Sequence, residues 1–193
     1  GEFRLLSLGA SDSLIELGIQ TPEEILVAAY QSMRAQLANC LLDQIVSSTP
    51  VFFERIILDL LLAMGYGGTR KDALSAIRRA SDGGIEGLIV EDKLGLDMIF
   101  VQANRWHAGL GIPAVRDFVG SLFGYRANKG VLITTSHFSD EAKEFAASVS
   151  KKVVLIDGAK LAELLIDHGI GVEVEETFVH KKIDEGYFNN QLA

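Results

Sequence analysis

Three polar residues interrupt two short apolar runs in the stretch GGIEGLIVEDKLGLDMIFVQANRW, residues 83–106. Glu86 breaks the first run, and Gln102 and Asn104 break the second. Side chains alternate along a strand, so Gln102 and Asn104 project from the same face. An acid on one strand facing a polar-x-polar pair on the next can gather hard oxygen donors around a divalent cation.

The elements that must position these residues are legible on either side. The two runs predict strands over about 84–91 and 96–103, joined by the turn Asp92-Lys93-Leu94-Gly95. Upstream, Thr21-Pro22-Glu23-Glu24 is a helix start: a capping Thr, Pro in the first turn, then acids near the positive end of the dipole. Ile25, Ala28, Ala29, Met33, Leu37, Cys40 and Leu41 follow at three- and four-residue spacing, predicting a packed stripe on a helix that runs to about Val46. Ser47-Ser48-Thr49-Pro50 starts a second helix, which the run Phe52, Phe53, Ile56, Ile57, Leu60, Leu61, Met64 predicts to be almost fully buried. It stops at Gly65-Tyr66-Gly67-Gly68. Residues 69–82 read as a basic loop.

Downstream, Pro113–Arg126 is an amphipathic helix with Val115, Phe118, Val119, Leu122 and Phe123 on one face. Residues 130–135 form an apolar strand of the buried, parallel type. Ser139 caps a helix with Ala142, Phe145, Ala146 and Val149 inside. Residues 152–157 give another buried strand, and Lys160–His168 a helix ended by Gly169. The order predicts an α/β fold with a mixed central sheet, an antiparallel hairpin followed by parallel strands, and helices on both faces.

The chain has 193 residues, 48% of them hydrophobic, enough for one sizeable core and a smaller appendage. Its single cysteine, Cys40, excludes an intrachain disulfide and fits a reducing cytoplasm. The longest apolar run, Ile56 to Met64, is broken by Asp59 and is far too short to span a bilayer. A net charge of −8 argues against a general nucleic-acid binder. The charge is uneven, however. Arg70, Lys71, Arg78 and Arg79 form a local basic patch able to hold a phosphate backbone, whereas Glu173, Glu175, Glu176, Asp184 and Glu185 make the tail acidic. Phe100 and Trp106 read as packing residues. His107, His137, His168 and His180 lack metal-ligand spacing.

From about Pro50 to Gly171 the chain resembles the catalytic domain of Mrr-type restriction endonucleases, in the PD-(D/E)xK nuclease superfamily. The resemblance rests on Phe53-Glu54-Arg55, on residues 64–68 (MGYGG), 82–87 (DGGIEG), 91–97 (EDKLGLD) and 102–106 (QANRW), and on Phe118-Val119-Gly120 and residues 133–136 (ITTS), in order and at family-like spacing. It implies a restriction-endonuclease-like fold over 49–171, a helical extension over 1–48 following a DNA-reading domain, and an acidic tail over 172–193. The start Gly1-Glu2-Phe3, without Met, reads as a cloning scar or a cut inside a longer protein. The family's usual targets are duplex DNA carrying foreign methylation, and double-strand cleavage needs two sites, which a homodimer would provide.

The resemblance also implies the roles of residues. Glu86 would be the main carboxylate for Mg²⁺ or Mn²⁺, Gln102 an amide donor and Ala103 a carbonyl donor, with Glu54 on the same cluster. Arg70, Lys71, Arg78, Arg79 and Arg105 would hold DNA. This chain departs from the family at two positions: Glu86 stands for Asp, and Asn104 for Lys. Asn104 carries no positive charge and cannot act as a base, and losing that help typically costs orders of magnitude. The extra methylene of Glu86 shifts its carboxylate by roughly an ångström, which alone can cost about 10²-fold. The expectation is a nuclease with severely weakened cleavage. The alternative is a non-catalytic DNA-binding or interaction module of the same fold. Lys129 and Arg105 are candidate substitute cations, although Arg105 should face the other side of the sheet.

Overall fold

The computed structural model describes residues 20–68, 77–79, 84–91 and 96–189, with the backbone alone at 77–79. Helix α1 spans Pro22–Ser47. The Thr21 hydroxyl accepts from the Glu24 N–H at 3.2 Å, and the Glu24 carboxylate accepts from the Thr21 N–H at 2.8 Å. This reciprocal pair satisfies two amides that the first turn leaves without helical partners. Helix α2, Pro50–Ala63, starts the same way, with Thr49 accepting from the Phe52 N–H. After α2 the Gly67 N–H donates to the Val90 carbonyl, tying the end of the helix to the sheet.

The sheet has five strands in sequential order: β1 Ile77–Arg79, β2 Ile85–Val90, β3 Met98–Asn104, β4 Lys129–Thr134 and β5 Lys152–Ile156. The β1–β2 and β2–β3 pairs are antiparallel, and β3–β4 and β4–β5 are parallel. Helices α3 (Ile112–Gly124), α4 (Asp140–Ser148) and α5 (Gly158–Asp167) alternate with the parallel strands, and a short α6 (Glu185–Asn189) ends the described chain. Two cores sandwich the sheet. Phe53, Ile57 and Leu60 of α2 and Leu161 and Leu165 of α5 pack on Ile85, Ile89, Val101 and Ile133. Phe118 and Leu122 of α3 and Ala142 of α4 pack with Phe100 and Leu132 on the opposite face. The alternation expected of the strands therefore holds, and it assigns Glu86, Gln102 and Asn104 to the α3/α4 face.

The structure corrects several expectations. Ile77–Arg79, read as part of a loop, is an edge strand: a three-residue strand is too short to show a period. Strand β5, read as buried, is the other edge; it alternates between exposed and half-buried residues up to the buried Ile156, because it has a neighbour on one side only. Phe52 is 50% exposed, since α2 presents one stripe to the core and Phe53 holds it. Phe123 is 61% exposed, with the Lys151 ammonium 4.9 Å from its ring centre. In α1 the C-terminal turns supply the buried contact, and in mid-helix Arg34 pairs with Asp167 of α5. Ile45 is buried, whereas Ile25, Met33, Leu37 and Cys40 of the expected stripe are exposed. The turn at 92–95 lies outside the described residues, but the Glu91 N–H donates to the Asp97 carbonyl and closes its base. Among the described residues no helix is long and apolar enough to cross a membrane.

Candidate active site

The hairpin register decides which polar groups meet. Glu86 pairs directly with Gln102 across β2–β3, and Gln102 and Asn104 pair with Leu132 and Thr134 across β3–β4. Directly opposed residues share a sheet face with their Cβ atoms about 5 Å apart. Glu86, Gln102, Asn104 and Thr134 therefore form one polar patch at the end of the sheet where β3 and β4 finish. Glu86 and Gln102 are half-buried, Asn104 is 5% exposed and Thr134 is fully buried. The Thr134 hydroxyl accepts from the Ser136 N–H, and the Thr135 hydroxyl donates to the Trp106 carbonyl at 3.1 Å, fixing the chain beyond both strands.

Gly84 forms the floor of this corner. A β-carbon there would overlap the Ala103 carbonyl oxygen and the Asn104 side-chain oxygen, and would sit 3.0 Å from the Asn104 Cγ. Close backbone approach to the β3 terminus thus requires glycine. Glu54 lies in the second turn of α2 and is 6% exposed. Among the described residues no three His, Cys, Asp or Glu side chains cluster as a metal site. A cation held here would therefore need a mixed set, with Gln102 and backbone oxygens beside carboxylates. These are hard oxygen donors, of the kind Mg²⁺ takes.

The expected DNA-contacting residues divide. Arg70 and Lys71 lie outside the described residues. Arg78 and Arg79 lie on β1, whose register sets Arg78 opposite Glu86. Arg105 turns to the opposite side from Asn104. Its Nη1 donates to the Ser48 carbonyl and, at 3.3 Å, to the Val46 carbonyl, closing the C-terminal end of α1. Lys129 does not replace the family lysine. It starts β4, five residues before Thr134, roughly 17 Å away at strand rise. Its ammonium binds Glu91 at 2.6 Å and Asp97 at 3.2 Å. Those two carboxylates hold the Lys129 pKa above its ordinary value.

Sequence reasoning assigned no role to Thr134 or Gly84. The signal for Thr134 was a hydroxyl at the end of an apolar run. Gly84 was one of two glycines before Ile85, and nothing local showed which of them faces Asn104.

The family model described as "Restriction endonuclease", the Mrr catalytic domain, matches residues 45–165. The chain belongs to the Mrr-type restriction endonuclease family. A curated relative, the type IV methyl-directed restriction enzyme EcoKMrr of Escherichia coli (strain K12), is 41% identical over 173 residues. The match covers 90% of this chain and 56% of that enzyme, so the Mrr-type chain spans little more than half of its relative's length. In fold it is similar to the DNA modification-dependent restriction endonuclease AspBHI, with a TM-score of 0.51 and 19% identity over 88% of this chain and 47% of that one. The MspJI restriction endonuclease, solved in complex with a 27-mer oligonucleotide, is more distant, with a TM-score of 0.42 and 20% identity over 76% of this chain and 34% of that one.

Proposed function

We propose that this chain is the catalytic domain of an endonuclease that hydrolyses phosphodiester bonds in duplex DNA, with Mg²⁺ or Mn²⁺ as cofactor, and that its cleavage step is severely slowed. The observation that carries this reading is the direct cross-strand pairing of Glu86 with Gln102, with Asn104 beside them on the same face. Methylated DNA is the substrate class suggested by the name of its relative EcoKMrr. Residues 49–171 are assigned to catalysis, 1–48 to a helical extension and 172–193 to an acidic tail. A cytoplasmic location is the one that suits this chemistry and the lone cysteine.

In this reading Glu86, Gln102 and the Ala103 carbonyl hold the metal, while Glu54, whose helix packs on the other face of the sheet, reaches it only around the strand ends and through water. When bound it would neutralise phosphate charge and lower the pKa of a coordinated water. Asn104 orients that water through a hydrogen bond but can neither take its proton nor oppose the charge that builds on phosphorus. Lys129 is committed to Glu91 and Asp97 at the far end of β4. This favours a second reading, a module that binds DNA and metal without turnover.

Thermal unfolding with and without Mg²⁺ or Mn²⁺ tests the site itself. A ligand that binds only the folded state raises its stability by RT ln(1 + [L]/Kd), about 2.7 kcal/mol at a hundredfold excess over Kd. The midpoint should rise with metal in the parent chain and not in Glu86→Ala. An equal rise in both would place the cation elsewhere.

A further inference from the structure

Two loops leave the sheet beside the polar corner. Residues 105–111 follow Asn104 at the end of β3, and residues 135–139 follow Thr134 at the end of β4. Each is locked to the other. The Thr135 hydroxyl donates to the Trp106 carbonyl at 3.1 Å, the Leu110 N–H donates to the His137 carbonyl at 2.8 Å, and the Ser139 N–H donates to the Leu110 carbonyl at 2.9 Å. Leu110 and Phe138 pair as a parallel bridge, and both are buried. The His137 ring packs so closely on Gly109 that a β-carbon there would lie 2.4 Å from its Nε2. With the first turn of α3 this braced loop forms an open pocket of about 430 Å³. Trp106, Leu110, Pro113 and Ala114 supply an apolar lining, with the His107 imidazole beside them. The aromatic side chains near the corner differ in their cover. Phe100 is fully buried, with the ring centres of Phe118 and Tyr125 at 5.5 and 4.6 Å. Trp106 packs on the same core but is only half-buried, and part of its surface lines the pocket.

We propose that this pocket takes one base of the bound DNA, turned out of the helical stack, with the Trp106 indole stacked on its face; the proposal rests on the nuclease reading of the Glu86–Asn104 corner. Three features select a base. Among the described residues the lining carries no Lys, Arg, Asp or Glu, so it suits a neutral, flat, largely apolar group and not a phosphate. The position fits. Trp106 lies two residues past Asn104, at most about 7 Å along the chain, so a phosphate at the corner brings the bases next to it within reach. The volume is that of a small-ligand site and is ample for one base. The bracing between the two loops shapes the pocket before DNA arrives, which lowers the ordering cost of binding. An aromatic face accepts any base, because every base has a π-face. Turning a base out costs least where it is already unpaired, so the pocket should favour duplexes with an unpaired base.

Trp106 is the single tryptophan of the chain, so its emission reports on this pocket alone. The full chain is titrated, in Ca²⁺ to hold off cleavage, with end-labelled duplexes of three kinds: fully paired, carrying one unpaired thymine, and carrying an abasic site in place of that thymine. Label anisotropy measures binding, and Trp106 emission measures stacking. The duplex with the unpaired thymine should bind tightest and quench the emission. Trp106→Ala should weaken that duplex alone, by roughly 5- to 150-fold, the loss of one base–aromatic stack. Trp106→Phe keeps a stacking ring and should restore most of the affinity. Ala108→Leu fills the pocket from an exposed position, should lose the preference as Trp106→Ala does, and decides the matter where the alanine variant fails to fold. Binding by anisotropy with unchanged Trp106 emission would overturn the pocket and leave the nuclease reading standing. An equal loss for all three duplexes in Trp106→Ala would overturn it too, marking the indole as a packing residue only. Failure of every duplex to bind would overturn both readings.

Discussion

Replacing Arg105 with alanine removes the cation that closes the C-terminal end of α1. Its Nη1 donates to the Val46 and Ser48 carbonyls, two acceptors that the helix itself leaves unsatisfied. Hydrogen bonds from a charged donor contribute roughly 1.5–3 kcal/mol, and a cation at a helix C-terminus contributes about 0.3–1 kcal/mol when exposed. The guanidinium is half-buried, so the lower part of that range applies, and Arg105→Ala should lose about 2 kcal/mol. For a domain of this size that lowers the thermal midpoint by roughly 4–8 °C. Arg105→Lys keeps the charge but offers a single donor atom, and should lose about half as much. Urea unfolding followed by far-UV circular dichroism measures both. If Arg105 served DNA instead, the alanine variant would unfold within about 0.5 kcal/mol of the parent, and its log–log salt dependence of DNA binding would flatten by about one unit. That pair of results would refute the structural role.

Gly84→Ala drives a β-carbon into the Ala103 carbonyl and the Asn104 side chain. It should cost about 2 kcal/mol or more in urea unfolding, because a backbone atom cannot move aside as a rotamer can. Gly120→Ala, inside α3 with no atom within 4 Å of the new methyl, should instead stabilise by about 0.5–1 kcal/mol in the same assay. The Lys129 cluster predicts an alkaline effect. A pKa held above its ordinary 10.5 means that the charged form is favoured in the folded state. That contribution is complete below the unfolded pKa and is lost as pH rises through the folded one. Unfolding measured from pH 9 to pH 12 should show this decline in the parent and a shallower one in Lys129→Met.

Most of the fold was legible because its signals are local and strong. The Thr21 and Thr49 caps, the alternation in β2 and β3, and the apolar run of β4 each follow from one element's own period. The site frame was legible for the same reason: Gln102 and Asn104 share a face by alternation alone. The failures come from tertiary context. Phe52 and Phe123 flank genuine apolar stripes, and only packing decides which residues of a stripe are covered. The exposed half of α1 carries a core-like pattern without a core beneath it among the described residues. Lys129 was attractive as a cation at a strand start. The register of β4 against β3 sets it at the wrong end of the strand, and Glu91 and Asp97, 38 and 32 residues upstream in sequence, hold it there.

The central claim is that Asn104 and Glu86 limit an otherwise intact nuclease corner. It is tested most directly by plasmid nicking and linearisation with Mg²⁺ or Mn²⁺, on methylated and unmethylated DNA, comparing the parent with Asn104→Lys/Glu86→Asp. Restoring a positioned cation, and with it general acid–base help, should raise the cleavage rate by at least about 10²-fold. The parent should cut slowly or not at all. Equal cleavage by parent and double variant would contradict the account, because some other group would then be supplying the charge that Asn104 lacks.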